Sequence, residues 1–135
     1  MAVQLNPYLG FKDNARAAME FYQSVFGGEL TIHTFGEYGD PDAPIANLVM
    51  HGMLETPNGF TLMGADTPPG MDYTPGTTMT VSLSGDDDEL LTGYWELLSD
   101  GGSVSVPLEK QMWGDTFGAV VDRFGTPWLV NIAGS

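Results

Sequence analysis

The chain has no cysteine and very little positive charge. Its 135 residues carry 18 acidic side chains against four basic ones, Lys12, Arg16, Lys110 and Arg123, and only two histidines. Without cysteine there is no disulfide framework and no thiolate to act as nucleophile or metal ligand, and a reducing cytoplasm suits such a chain. A net charge of −14 repels phosphate backbones, which argues against nucleic acid as a partner. No apolar run approaches the ~20 residues that a membrane-spanning helix requires. The opening M-A-V-Q-L-N-P lacks the basic-then-apolar order of a signal peptide. Also missing are G-x-G-x-x-G, a Walker loop, a G-x-S-x-G elbow and a metalloprotease helix. The acids are scattered apart from Asp86-Asp87-Asp88-Glu89, so the charge reads as a solvated surface.

What is present suits a globular fold. Hydrophobic residues make up 42% and aromatics 11%, too many for a disordered chain. The length suits a single domain, 1–135, with a substantial core. The pattern within it is a duplication. Module one covers about residues 1–66, a Pro/Gly-rich linker covers 67–76, and module two covers about 77–135.

Each module reads β-α-β-β-β. In module one, Asn6 to Phe11 is a strand, and Asp13 or Asn14 caps a helix that runs to about Phe26. Ala15, Ala18, Met19, Tyr22, Val25 and Phe26 recur at three- and four-residue spacing, one buried stripe. Gly27-Gly28 stops the helix. Leu30 to Phe35 is the next strand and Gly36 to Pro44 a loop. Ile45 to Glu55 and Phe60 to Asp66 form a hairpin around T-P-N-G. In module two, Thr77 to Ser84 is a strand, and the acidic cluster sits where carboxylates favour a helix N-terminus. Leu91, Tyr94, Trp95 and Leu98 form that helix's buried stripe, and Gly101-Gly102 ends it. Val104 to Leu108 is a strand, and Phe117 to Asp122 and Thr126 to Ile132 form the last hairpin. The class is α+β, with helices on one face of each sheet.

Both histidines lie in module one. His33, in T-I-H-T-F, reads as an ordinary sheet histidine. For His51 the turn decides. A three-residue T-P-N-G turn bulged at Gly59 pairs Met53 with Met63 and His51 with Ala65, putting His51, Met53 and Met63 on one face. A two-residue turn would move His51 to the other side. Pro57 and Gly59 favour the bulged form. His51 is then either a satisfied structural histidine or a group that orients a ligand. Trp113 and Trp128 are either core or an aromatic wall. The methionines, including Met50, Met53, Met63 and Met79 in expected strands, are either core filler or an adaptable cavity lining.

Several stretches carry a resemblance: Pro7-Tyr8-Leu9, Phe21-Tyr22 with Val25-Phe26-Gly27-Gly28, His51, Asp66, Pro107-Leu108, Trp113-Gly114, Phe117-Gly118, and Asp122-Arg123-Phe124-Gly125 with Trp128. Together with the repeat they resemble the glyoxalase/bleomycin-resistance superfamily, also called vicinal oxygen chelate proteins. Within it the chain is similar to the PhnB-like branch, whose members often carry a 3-demethylubiquinone methyltransferase label. A methyltransferase would need an S-adenosylmethionine-binding α/β sheet, which the repeat order does not give. The resemblance implies two βαβββ modules in a curved half-barrel around a cleft. In the superfamily's enzymes that cleft holds a divalent metal, bound by His, Gln or Glu of the modules' first and last strands. It also implies a homodimer.

Set against that pattern, neither first strand here supplies His, Glu or Asp. The carboxylate position about four residues beyond the turn glycine falls on Met63 in one module and Leu129 in the other. Thioether and isobutyl groups are poor partners for such a cation. The expectation is therefore no metal, no cofactor and a small organic ligand. Tyr8, Met53, Met63, Trp113 and Leu129 would wall it and His51 would orient it. The alternative is a lyase, isomerase or dioxygenase-type enzyme, using a metal with atypical ligands or acid–base chemistry at His51, the best catalytic candidate. A ligand-free scaffold is the third possibility.

Overall fold

In the computed structural model residues 3–134 are described; Met1 and Ala2, part of the segment read above for a signal peptide, lie outside them. The chain forms two compact units, Met1–Pro75 and Gly76–Ser135. Each contains one four-stranded sheet and one twelve-residue helix. In the first, β1 (Tyr8–Phe11), α1 (Ala15–Phe26), β2 (Glu29–Thr34), the one-turn α2 (Phe35–Tyr38), β3 (Val49–Glu55) and β4 (Thr61–Asp66) follow in order. In the second come β5 (Val81–Gly85), α3 (Asp88–Ser99), β6 (Ser103–Lys110), β7 (Thr116–Val121) and β8 (Pro127–Ile132). Strand orders are β1-β4-β3-β2 and β5-β8-β7-β6, so the α+β class and the doubled βαβββ plan are present. Among the described residues no helix is long and apolar enough to cross a membrane.

Both helices bury the stripe their spacing predicts. Ala15, Ala18, Met19, Tyr22, Val25 and Phe26 of α1 are buried, as are Leu91, Tyr94, Trp95 and Leu98 of α3. Glycines let these side chains sit close to the sheets. A Cβ on Gly64 would come within 3.1 Å of Met19 Sδ, and one on Gly118 within 2.7 Å of the Trp95 ring. Each helix thus covers one sheet face. Leu54, Leu62 and Asp66 face α1 and are buried, whereas the alternating Met53, Met63 and Ala65 on the other face are half-buried. Trp128, Val130 and Ile132 likewise alternate with half-buried Leu129 and Asn131.

Four expectations need correcting. Asn14 holds the N-cap position of α1 but its side chain makes no capping bond; the Ala15 N–H donates instead to the Asp66 carboxylate from β4, at 2.9 Å. Gly36 to Pro44 is not wholly loop, because Thr34 and Glu37 form a capping box that nucleates α2. Strand β5 begins at Val81 rather than Thr77, since Val81 pairs with Trp128 near the start of β8 and earlier residues have no strand beside them. Met79, expected in that strand, is largely exposed outside it. Finally, β3 begins at Val49 rather than Ile45, after a run of turns.

Candidate functional site

The turn between β3 and β4 takes the bulged form. Thr56 N–H donates to the Phe60 carbonyl at 3.1 Å, Gly59 N–H donates to the Thr56 carbonyl at 3.0 Å, and Gly59 has φ 87°. The register follows: Met53 pairs with Met63 and Gly52 with Gly64. On the other edge of β4, Tyr8 pairs with Met63. On the far side of β3, His51 pairs with His33 and Met53 with Thr31. Side chains alternate along a strand, so Tyr8, Met63, Met53 and His51 share the sheet face turned away from α1.

One polar contact organises that face. The Tyr8 hydroxyl lies 3.0 Å from His51 Nδ1, with ring centroids 5.6 Å apart. Strands β1 and β3 flank β4, about 10 Å from each other at ordinary strand spacing. The Tyr8 phenol therefore reaches over β4, where the next residue on the face is the small Ala65. Burial raises the Tyr8 pKa above its ordinary value, so the phenol keeps its proton in neutral solution. His33 lies at the edge of the same face. Its Nδ1 is 3.5 Å from Glu37 Oε1, an ion pair only when the imidazole is protonated, and it makes no hydrogen bond.

In the second unit Leu129 occupies the middle of the corresponding face, paired with Ser82 and Ala119. Trp113 lies in the turn between β6 and β7, 64% exposed, with its ring 6.4 Å from that of Phe117. Asp115 beside it accepts from Asn131 Nδ2 at 3.0 Å and from the Gly134 N–H at 2.9 Å. These bonds hold its carboxyl below the usual range, with Asn131 the larger cause. Trp128 belongs to the core and not to an aromatic wall: it is 1% exposed and its indole N–H donates to Asp122 Oδ2 at 2.8 Å.

A divalent cation of the expected kind does not fit the residues present. On the faces turned away from the helices, the first and last strands offer Tyr8, Met63 and Ala65 in one unit. The other offers Ser82, Ser84, Leu129 and Asn131. Neither set contains an imidazole or a carboxylate, and Asn131, whose Nδ2 donates to Asp115, brings a single amide oxygen. Among the described residues no three His, Asp or Glu side chains are grouped to hold a metal. The buried acids are committed elsewhere. Asp66 accepts from the Ala15 and Val49 N–H groups, and Asp122 from the N–H groups of Phe124 and Thr126 as well as from Trp128.

The structure links Tyr8, expected as a wall residue, to His51, expected to orient the ligand, and sets Phe117 and Asp115, absent from the expected site, beside Trp113. The duplication carried a usable signal. Tyr8↔Met63↔Met53 in one sheet matches Ser82↔Leu129↔Ala119 in the other, which sets Phe117 in the place of His51.

Comparison with known proteins agrees with this architecture. The family model described as Glyoxalase/Bleomycin resistance protein/Dioxygenase superfamily matches residues 4–130. Protein YjdN of Escherichia coli K12 is 27% identical, over 95% of this chain and 94% of its own length. An uncharacterized protein of Mycobacterium bovis is 33% identical, over 95% of this chain and 84% of its own. The crystal structure of protein PA1353 from Pseudomonas aeruginosa superposes with a TM-score of 0.87 at 32% identity, covering 99% of this chain and 100% of that one. The PhnB protein of Bacillus cereus, whose name carries a 3-demethylubiquinone-9 3-methyltransferase label, gives a TM-score of 0.73 at 25% identity, covering 97% and 100%.

Proposed function

We propose, on the premise that this chain belongs to the Glyoxalase/Bleomycin resistance protein/Dioxygenase superfamily, that it binds a small, partly aromatic organic molecule without a metal. The observation that carries this reading is the Tyr8–His51 contact at 3.0 Å beside the half-buried Met53 and Met63. Ligand sites combine an apolar, shape-adaptable surface with a few placed polar groups. Thioethers adapt to ring edges, and a phenol–imidazole pair supplies a donor and an acceptor. Leu129 and Trp113 are proposed as ligand-facing residues of module two's own sheet. The absence of carboxylate or imidazole at the expected ligand positions supports a metal-free mode of binding. A homodimer and a cytoplasmic location belong to the same proposal; light scattering that gives a monomer at micromolar concentration would overturn the former.

The test is a pair of titrations on untagged protein stripped with a chelator. Nile red, a neutral flat dye, should bind saturably with a blue-shifted emission, and Met63→Glu should abolish that binding. Calorimetric titration with Ni²⁺, Mn²⁺ and Zn²⁺ should show no stoichiometric site. One tightly held ion per chain would refute the metal-free reading.

A further inference from the structure

We propose that the Tyr8–His51 pair is a bifunctional acid–base site that interconverts the keto and enol forms of a neutral, aryl-bearing carbonyl compound. This rests on the small-molecule reading of the same face.

The fold itself does not require the pair. The protein builds the same sheet twice, in matching register, and the second copy has Ser82 where the first has Tyr8 and Phe117 where the first has His51. Sheet two forms with neither group. In sheet one the contact also spans a strand, since the phenol must cross β4 to reach the imidazole, and Tyr8 remains 52% exposed. A large aromatic side chain held half in solvent on an imidazole contributes little to a core.

The chemistry follows from the protons. A neutral imidazole carries one N–H and one lone pair, and a phenol both donates and accepts. Two arrangements fit the 3.0 Å contact. In one, Tyr8 O–H donates to Nδ1 and His51 presents Nε2–H outward. In the other, Nδ1–H donates to the Tyr8 oxygen, leaving the Nε2 lone pair and the Tyr8 O–H free to act. Starting from the second, Nε2 takes the proton from the carbon next to a carbonyl. The C–H bonding pair becomes the C=C bond and the carbonyl π pair moves to oxygen. Tyr8 O–H gives its proton to that oxygen, and the Nδ1 proton passes to Tyr8. The ketone has become an enol, every partner is still neutral, and the pair is left in its first arrangement. The reverse reaction starts from there, and between turnovers in one direction the imidazole tautomer resets by exchanging a proton with solvent, so no oxidant or reductant is needed. A cycle without net charge suits a half-buried, thioether-lined surface, where ions are poorly solvated.

The substrate class follows from what surrounds the pair. The first unit has two basic side chains, Lys12 and Arg16; both are exposed, and Arg16 is on α1, across the sheet from this face. The chain's net charge of −14 opposes anions such as carboxylates and phosphates. Met53 and Met63 beside the pair favour an aromatic body. The other titratable groups toward this face are His33, paired across from His51, with Glu37 near it, and the Glu29–Glu55 pair at the strand ends.

The test uses benzoylacetone, a neutral aryl diketone. Its enol, diluted from organic solvent into chelator-containing buffer, ketonises with loss of a strong ultraviolet band. Equilibrium dialysis measures its binding separately. The wild-type chain should accelerate ketonisation catalytically. Tyr8→Phe and His51→Ala should each lose on the order of 100-fold in rate, a loss larger than the accompanying loss of benzoylacetone binding, with circular dichroism unchanged. Ser82→Ala, at the matching position of module two, should keep the full rate. Binding of benzoylacetone without acceleration, or an unchanged rate in His51→Ala, overturns this inference and leaves the binding reading standing. If neither benzoylacetone nor Nile red binds, both fail.

Discussion

Asp66 joins three elements, and its loss should be the most damaging single change on the helix-covered side of module one. The carboxylate is 6% exposed and accepts from the Ala15 N–H, at the start of α1, and from the Val49 N–H, at the start of β3, each at 2.9 Å. The Ala15 N–H is an orphan of the helix N-terminus, with no partner inside the helix. A bond from a buried N–H to a charged acceptor is worth about 1.5–3 kcal/mol. Asp66→Asn keeps one acceptor and turns an amide N–H₂ toward the other donor, so it should cost about that amount once. Asp66→Ala removes both bonds and should cost about 3–6 kcal/mol, a large part of the roughly 5–15 kcal/mol that stabilises a domain. In urea, with a slope of roughly 1–3 kcal/mol per molar, the Asn variant should unfold about 1–2 M earlier. The three tryptophans, Trp95, Trp113 and Trp128, all lie in module two. Far-ultraviolet circular dichroism should therefore be followed together with tryptophan fluorescence. A midpoint shift in circular dichroism below about 0.3 M for Asp66→Asn would refute the assignment, because a buried N–H left unpaired cannot be that cheap.

Other outcomes follow from the same geometry. Gly118→Ala places a methyl 2.7 Å from the Trp95 ring and 3.0 Å from the Leu108 Cα; thermal melts followed by tryptophan fluorescence should show about 1–3 kcal/mol of destabilisation. Asp115 is held ionised by Asn131 and Gly134, so its folded pKa is depressed. Its stabilisation is present above the unfolded value of about 3.9 and is lost as pH falls through the lower folded value. Asp115→Asn should therefore flatten the acid limb of a stability-versus-pH curve by lowering the melting point at neutral pH, with the two curves converging at the acid end.

Much of this fold could be read from local spacing. The stripes on α1 and α3 follow from three- and four-residue periodicity, and the β3–β4 register follows from Pro57 and Gly59 through the turn they favour. What escaped depended on distance in sequence or on partners. Asp66 and Ala15 are 51 residues apart, and no local rule links a strand-end carboxylate to a helix start. The extra residues given to β5 looked strand-like in isolation, but a strand ends where its neighbour ends, and that depends on β8. Trp128 could have been core or wall until Asp122 supplied its buried acceptor. Glu37 three residues after Thr34 was a local signal, a capping box hidden inside a Gly- and Pro-rich stretch. Of the site, the face shared by His51, Met53 and Met63 could be read from the turn, and Met63 and Leu129 from the repeat. The Tyr8–His51 contact could not, because it depends on a side chain reaching across an intervening strand over a small residue.

The claim on which the account depends is that an organic molecule binds, without metal, on the face shared by Tyr8, His51, Met53 and Met63. Methionine methyl groups labelled with carbon-13 report it directly, with Nile red titrated into chelator-treated protein. The account predicts saturable shifts of the Met53 and Met63 methyl signals, lost in Met63→Glu, while exposed Met112 in the β6–β7 turn stays unmoved. Shifts that appear only after Zn²⁺ or Ni²⁺ is added, or that spare both Met53 and Met63, would contradict it.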